Sequence, residues 1–187
     1  MKSSLFNFAI LMAASCAMAQ SMRDPSSGAD MTAKSTSADA LFLKKLAEGD
    51  LAEVDAGRLA SQKSANQGVK DFGQEMVTDH SKNSDELKTL AASHGVHVPD
   101  TIDAQHAALK TKLEKAGSGE FDSEYVAAQV RDHEKTVALL KKEISGGGDA
   151  AVKEFAQKTL PVVEHHLAMA KELQSKTPHT VAERTHQ

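Results

Sequence analysis

Nine histidines fall in a chain of 187 residues that has a single cysteine, and three of them occupy positions a helix would bury. His80, His133 and His166 each lie near the middle of a long segment whose apolar residues recur at spacings of three and four. Glu53 holds the same place in another such segment. Neutral imidazole and carboxylate oxygen are good ligands for Fe, Mn, Zn or Cu. An interior position refuses these groups unless they are paired, hydrogen-bonded or bound to an ion. One polar residue per segment therefore means either an internal hydrogen-bond network or a metal site built from Glu53, His80, His133 and His166.

The segments that must position them read as helices. Ala, Leu, Lys, Glu and Gln fill the periodic stretches, and β-branched runs are absent. The first spans 38–64 through Phe42, Leu46, Gly49, Glu53, Ala56 and Ala60, with Asp39 or Ser37 to cap it. Gly49 and Gly57 permit close packing there. The second spans 67–94 through Val69, Phe72, Met76, His80, Leu87 and Leu90, with Asn66 as its cap and Gly95 as its stop. A very short link between these two dictates an antiparallel hairpin. A loop with Pro99 and a short helix at 103–115 follow, ended by Gly117-Ser118-Gly119. The third long helix spans 120–145 through Phe121, Val126, Gln129, His133, Val137, Leu140 and Ile144. The fourth, capped by Asp149, spans 149–175 through Val152, Phe155, Thr159, Val162, His166, Ala170 and Leu173, with Pro161 expected to kink it. Two hairpins joined by a long crossover form the ferritin-like version of the four-helix bundle, an all-α fold.

Depth along such a bundle separates the four polar residues. Glu53, His80 and His133 come out nearly level. Counted from the start of its own helix, His166 lies about 8 Å away from them. The expected trio is therefore Glu53, His80 and His133. As a network, His80 would bond Glu53 across the hairpin, and His133 would bond Gln129 or Tyr125. A di-iron centre asks for two Glu-x-x-His pairs and two more glutamates, and this pattern is missing: Glu75 precedes His80 by five, and Asp79 and Glu134 adjoin histidines. His94, His97 and His106 gather near the crossover as a weaker candidate for a surface site. His165 should face away from His166, and Met76 reads as core filling.

The ends carry a different message. Lys2, the apolar run from Leu5 to Ala14 and the Ala17-Met18-Ala19 motif form an export signal over 1–19. The run is too short to span a membrane. Cys16 in Ala13-Ala14-Ser15-Cys16 offers lipid anchoring as the lesser alternative. Residues 20–37 read as a disordered spacer, 38–176 as the bundle and 177–187 as a flexible tail. The formal charge is −4, with acids and lysines interspersed and no basic stripe for nucleic acid. One Tyr and no Trp argue against a stacking surface.

Several motifs together resemble one bacterial family. Phe72-Gly73-Gln74-Glu75-Met76-Val77-Thr78-Asp79-His80 is one. Phe121-Asp122-Ser123-Glu124-Tyr125 with Gln129-Val130 and His133 is another, and Val152-Lys153-Glu154-Phe155-Ala156 with Leu160-Pro161 and His166-Leu167 is a third. The chain is similar over about residues 38–175 to the exported proteins grouped as domain of unknown function 4142. The resemblance implies a ferritin-like bundle in the cell envelope or periplasm, with His80, His133 and His166 at recurrent positions, and no settled activity. The sequence thus favours an exported, non-enzymatic bundle with an envelope or stress-related role. The alternatives are a metal-binding or redox protein and a partner-binding module using Leu109 and Leu113 of the crossover helix.

Overall fold

Local capping chemistry marks out each helix of the computed structural model, which describes residues 36–177. Helix α1 (Ser37–Lys63) starts at Thr36 with a capping box: Asp39 N donates to Thr36 Oγ1 at 3.2 Å and Thr36 N donates to Asp39 Oδ2 at 2.7 Å. The cap is therefore Thr36, one residue before the expected Ser37, and Asp39 is its third-residue partner. Asn66 caps α2 (Gln67–Ser93), and Gly95, at φ 65°, turns the chain out of it. Asp103 caps α3 (Ala104–Lys115). Helix α4 (Ser118–Gly146) begins within the glycine stretch expected only to end α3. Asp149 caps α5 (Ala150–Lys176) by accepting from the Ala151 and Val152 amides. Helix α5 runs unbroken through Pro161, whose exposed ring faces away from the core.

The helices form a ferritin-like bundle of two hairpins. Helix α1 pairs with α2 and α4 with α5, while α1 also lies beside α4 and α2 beside α5. At one end the Gly148 amide donates to Asp39 Oδ1 at 2.9 Å, and His94 Nε2 lies 3.1 Å from Asp149 Oδ2. At the other, Lys63 Nζ donates to the Leu113 carbonyl at 3.0 Å. The crossover therefore travels the length of the bundle. Helix α3 packs on α1 and α4, with Leu113 fully buried and Leu109 packed against the core beside it. The apolar face expected to be open to a partner is thus used internally.

The core is divided into two apolar halves. One gathers Phe42, Leu43, Leu46, Leu87, Leu140, Val152 and Phe155. The other gathers Val69, Phe72, Met76, Leu113, Phe121, Tyr125 and Val126. Each long helix places buried polar residues between these halves: Asp50 and Glu53, His80, Gln129 and His133, and His166.

A close backbone approach sets the register of the first hairpin. A Cβ on Gly57 would lie 2.5 Å from the Gly73 carbonyl oxygen, and one on Gly73 would lie 2.7 Å from the Gly57 oxygen and 2.8 Å from Ala60 Cβ. Gly57 comes seven residues after Asp50, and Gly73 seven before His80. In an antiparallel pair these two contacts share one register, so the glycine crossing brings Asp50 level with His80. Gly49 has nothing within 4 Å of a built Cβ. Gly73→Ala should thus destabilise the fold by about 1–3 kcal/mol through overpacking, despite alanine's better helix propensity. Gly49→Ala should stabilise it by about 0.5–1 kcal/mol. Denaturant unfolding of the two variants gives the comparison, and equal shifts would contradict the close crossing.

Residues 1–35 and 178–187 lie outside the described residues, and with them the expected export signal, Cys16, almost all of the spacer and most of the tail. No helix among the described residues is long and apolar enough to cross a membrane.

Candidate metal centre

Three helices deliver one imidazole each to the polar layer. His80 from α2, His133 from α4 and His166 from α5 have ring centroids 5.4–5.7 Å apart. They are 6%, 2% and 1% exposed. One nitrogen from each lies within 4.8 Å of one nitrogen from each of the others.

In every ring one nitrogen is already committed to an acceptor. His80 Nδ1 donates to Asp50 Oδ1 at 2.8 Å. Asp50 is held in turn by Asn83 Nδ2 at 2.8 Å, and Asn83 Oδ1 accepts from Thr159 Oγ1 at 3.1 Å. His133 Nδ1 donates to the Gln129 carbonyl at 2.9 Å and lies 3.7 Å from Glu53 Oε1. His166 Nε2 donates to Asp79 Oδ2 at 3.0 Å. Carbonyls and carboxylates only accept, so these contacts place a proton on the committed nitrogen of each neutral ring. The lone pairs then fall on His80 Nε2, His133 Nε2 and His166 Nδ1. These are the buried ring nitrogens with no hydrogen-bond partner among the described groups. A ring held from behind by a carboxylate or carbonyl, with its other nitrogen bare, is the arrangement of a metal-bound histidine.

Electrostatics keeps this cluster short of protons. Burial disfavours charge on His80, but the hydrogen bond and charge of Asp50 outweigh it and raise the ring's proton affinity. Burial likewise raises Asp50, against the pull of His80 and Asn83. The pair therefore retains one proton along its Nδ1···Oδ1 axis. His133 is lowered, chiefly by burial and further by charge on His80, against the opposing pull of Glu53. His166 is lowered to about 4, first by burial and then by charge on His80. The cluster accepts one positive charge and resists a second.

The set differs from the expected trio. His166 belongs to it and Glu53 does not: Glu53 stands behind His133, where its Oε2 accepts from Gln129 Nε2 at 2.6 Å. The expected bond from His80 to Glu53 goes instead to Asp50. The depth of His166 is properly counted from the loop it shares with α4. Gly148 is 15 residues after His133 and 18 before His166, an offset of about 4.5 Å. Side chains tilt toward their own helix N-terminus, and in an antiparallel pair that tilt closes the gap. Asp50, Asp79 and Asn83 were missed. Asp50 lies four residues after Leu46 and three before Glu53, a helical spacing that marks it for the same face. Asp79 does point away from His80, as neighbours on a helix must, and this aims it at α5. His94 and His106 are engaged separately, with Asp149 and Asp103.

Two cavities border the histidines of the layer. One, of about 290 Å³, opens between α1 and α4 and includes Asp50, Glu53, His80 and His133 in its lining. The other, of about 140 Å³, opens between α2 and α5 at Asp79, His80 and His166.

The family model described as domain of unknown function (DUF4142) matches residues 24–173. The chain belongs to the DUF4142 family. Two solved structures show how widely this bundle recurs beyond it. A DUF305 fragment from Deinococcus radiodurans is 11% identical, with 76% of this chain and 98% of that one covered at a TM-score of 0.68. A conserved hypothetical protein from Mycobacterium tuberculosis is 16% identical, with 78% and 96% covered at a TM-score of 0.61. At these identities the likeness is one of fold. No curated protein matches the sequence.

The lowered histidines have a consequence for this DUF4142 chain at mildly acid pH. Unfolded histidine takes up its proton near pH 6.5, whereas folded His166 does so at about 4. Between those values the unfolded chain binds more protons, so stability falls as pH drops. His133 acts in the same direction. His80 acts oppositely, its contribution being present below its unfolded pKa and lost as pH climbs through the raised value. Asp50, raised by burial, and Glu143, raised to about 7, likewise act in the opposite direction to His166. The His166 contribution is therefore read by difference: metal-free His166→Gln should gain melting temperature relative to wild type as pH falls from about 6.5 to about 4. An identical slope in the variant would contradict the arrangement.

Proposed function

We propose that this DUF4142 protein binds one divalent transition metal inside the bundle, on His80 Nε2, His133 Nε2 and His166 Nδ1. The observation that carries this reading is the convergence of three buried, uncommitted imidazole nitrogens. A hydrogen-bond network alone would leave them unsatisfied, at about 1–3 kcal/mol each. The remaining contacts in the layer are good hydrogen bonds of 2.6–3.1 Å. Gln129 Oε1 and the Tyr125 hydroxyl also lack partners, but only the three inward nitrogens come from imidazoles that converge on one point, which favours an ion over a purely structural network.

The distances suit such an ion after a small adjustment. With the three ligand atoms within 4.8 Å of one another, an ion midway between them lies no more than about 2.8 Å from each, so at most about 0.7 Å of inward movement per ring gives zinc–nitrogen bonds. All-nitrogen ligation favours Zn, Cu, Fe or Ni over Mg or Ca. Asp50, Glu53 and Asp79 stand behind the rings and offset the charge of a divalent ion. Three protein ligands leave a coordination position to water or a small ligand. The original quartet is thus reduced to a three-histidine ligand set, with Glu53 as a supporting residue.

Export to the periplasm belongs to the same proposal. It rests on Lys2, the Leu5–Ala14 run and Ala17-Met18-Ala19. N-terminal sequencing of protein recovered from a periplasmic extract should begin at Gln20. A mature chain beginning at Cys16 would instead establish the lipid-anchored form.

Metal titration of untagged protein tests the centre. Zinc should bind at one ion per chain and raise the melting temperature. The stabilisation should reach about 2.7 kcal/mol at a free concentration one hundred times Kd. His133→Ala should abolish both effects. Zinc that neither binds nor shifts melting would overturn the proposal.

A further inference from the structure

His166 addresses two ligand groups with its two ring nitrogens. Nδ1 is the uncommitted nitrogen of the buried set, and Nε2 lies 3.0 Å from Asp79 Oδ2. Glu75 stands one turn before Asp79 on α2. Glu75, Asp79 and His166 also each bring one ligand atom within 4.8 Å of the other two. His165, exposed on α5, places Nε2 3.8 Å from Glu75 Oε1. Unlike the inner set, Glu75 and Asp79 are only half-buried. The cavity of about 140 Å³ in the same α2/α5 seam has Asp79 at one side and His80 and His166 within its lining. An outer and an inner ligand group thus share one ring, and a cavity along their seam reaches two of the three inner rings.

The inner nitrogens are neutral, and Asp50 and Glu53 behind them are buried and already hydrogen-bonded, so they do little to capture a hydrated cation from solvent. Half-exposed carboxylates can capture one: they concentrate cations at the surface, and they replace water ligands with oxygen before nitrogen is reached. We propose that Glu75, Asp79 and His165 form a loading site that captures a divalent transition metal at the α2/α5 seam and passes it to His80, His133 and His166 through the shared His166 ring. This rests on the buried three-histidine centre proposed above.

Asp79 has two jobs in this route. Without metal it accepts the Nε2 proton of His166 and holds that ring in place. With a cation on its carboxylate it releases the ring. Rotation about the Cβ–Cγ bond would then let Nδ1, which carries the lone pair, meet the ion. No proton needs to leave the imidazole. The cavity of the opposite seam is lined by carboxylates too, Glu48, Asp50, Glu53, Asp103 and Asp132, but among the described residues no outer group of three there brings its ligand atoms within 4.8 Å of one another. There Asp103 accepts from His106 Nδ1 at 2.9 Å, and Asp132 accepts from Lys135 Nζ at 2.9 Å.

Rapid mixing of cobalt(II) with metal-free, full-length protein tests the route, followed by the visible absorption of histidine-bound cobalt. The Glu75→Gln/His165→Ala variant should reach the wild-type final absorption and affinity but fill about tenfold more slowly. Glu75→Gln alone, the milder change, should slow filling in the same direction. Asp132→Asn, at the mouth of the other cavity, should fill at the wild-type rate. Unchanged filling in both seam variants would overturn the loading site and leave the buried centre standing. Slowed filling in Asp132→Asn with no change in the seam variants would overturn it equally, by moving the route to the opposite seam. A wild-type chain that never develops the absorption overturns both proposals together.

Discussion

Desolvation of ionisable groups is the constraint around which this bundle is organised. A layer containing Asp50, Glu53, His80, Gln129, His133 and His166 crosses the helical core between two apolar clusters. Each such group costs several kcal/mol if it is left charged and unpaired in the interior. The chain meets that cost by giving every imidazole a fixed acceptor on its outer side. Once the outer nitrogens are committed, the inner nitrogens have nowhere to turn. Their convergence is thus a consequence of how the layer is paired.

The packing around the layer serves to hold it in register. The Gly57–Gly73 crossing lets α1 and α2 approach backbone to backbone. The resulting alignment delivers Asp50 to His80 one heptad away. Phe72 and Tyr125 close the layer from one half of the core, with Phe72 6.4 Å from the His133 ring and 6.2 Å from Tyr125. Tyr125 is pushed far above its ordinary pKa, by burial and then by the negative charge of Glu53, so it stays neutral. Rigid elements and fixed tautomers of this kind are what a preorganised ligand set requires. The two cavities leave the layer accessible from the α1/α4 and α2/α5 seams.

The likeness to the Deinococcus DUF305 fragment and the mycobacterial protein shows that this helical arrangement tolerates wide sequence change. A shared bundle does not transmit a function. The function of the DUF4142 chain has to be argued from the side chains at its mid-bundle level.

Much of the architecture was legible in the residues. Helical periodicity, the Asn66 and Asp149 caps, the Gly95 stop and the short hairpin link determine five helices and their bundle, because these are local effects. The three histidines were legible as misfits on apolar faces. Their partners were not. Asp50 was passed over for Gly49, and Asp79 was set aside as a neighbour of His80, because a helical face does not say which facing helix a side chain will meet. The exchange of Glu53 for His166 in the ligand set turned on an offset of about one helical turn, which antiparallel side-chain tilt closes. The sequence by itself determined that polar groups would lie in the core. Only the tertiary structure decided which nitrogens are committed and which are bare, because that depends on contacts between α2 and α1, and between α5 and α2, across 30 and 87 residues of chain.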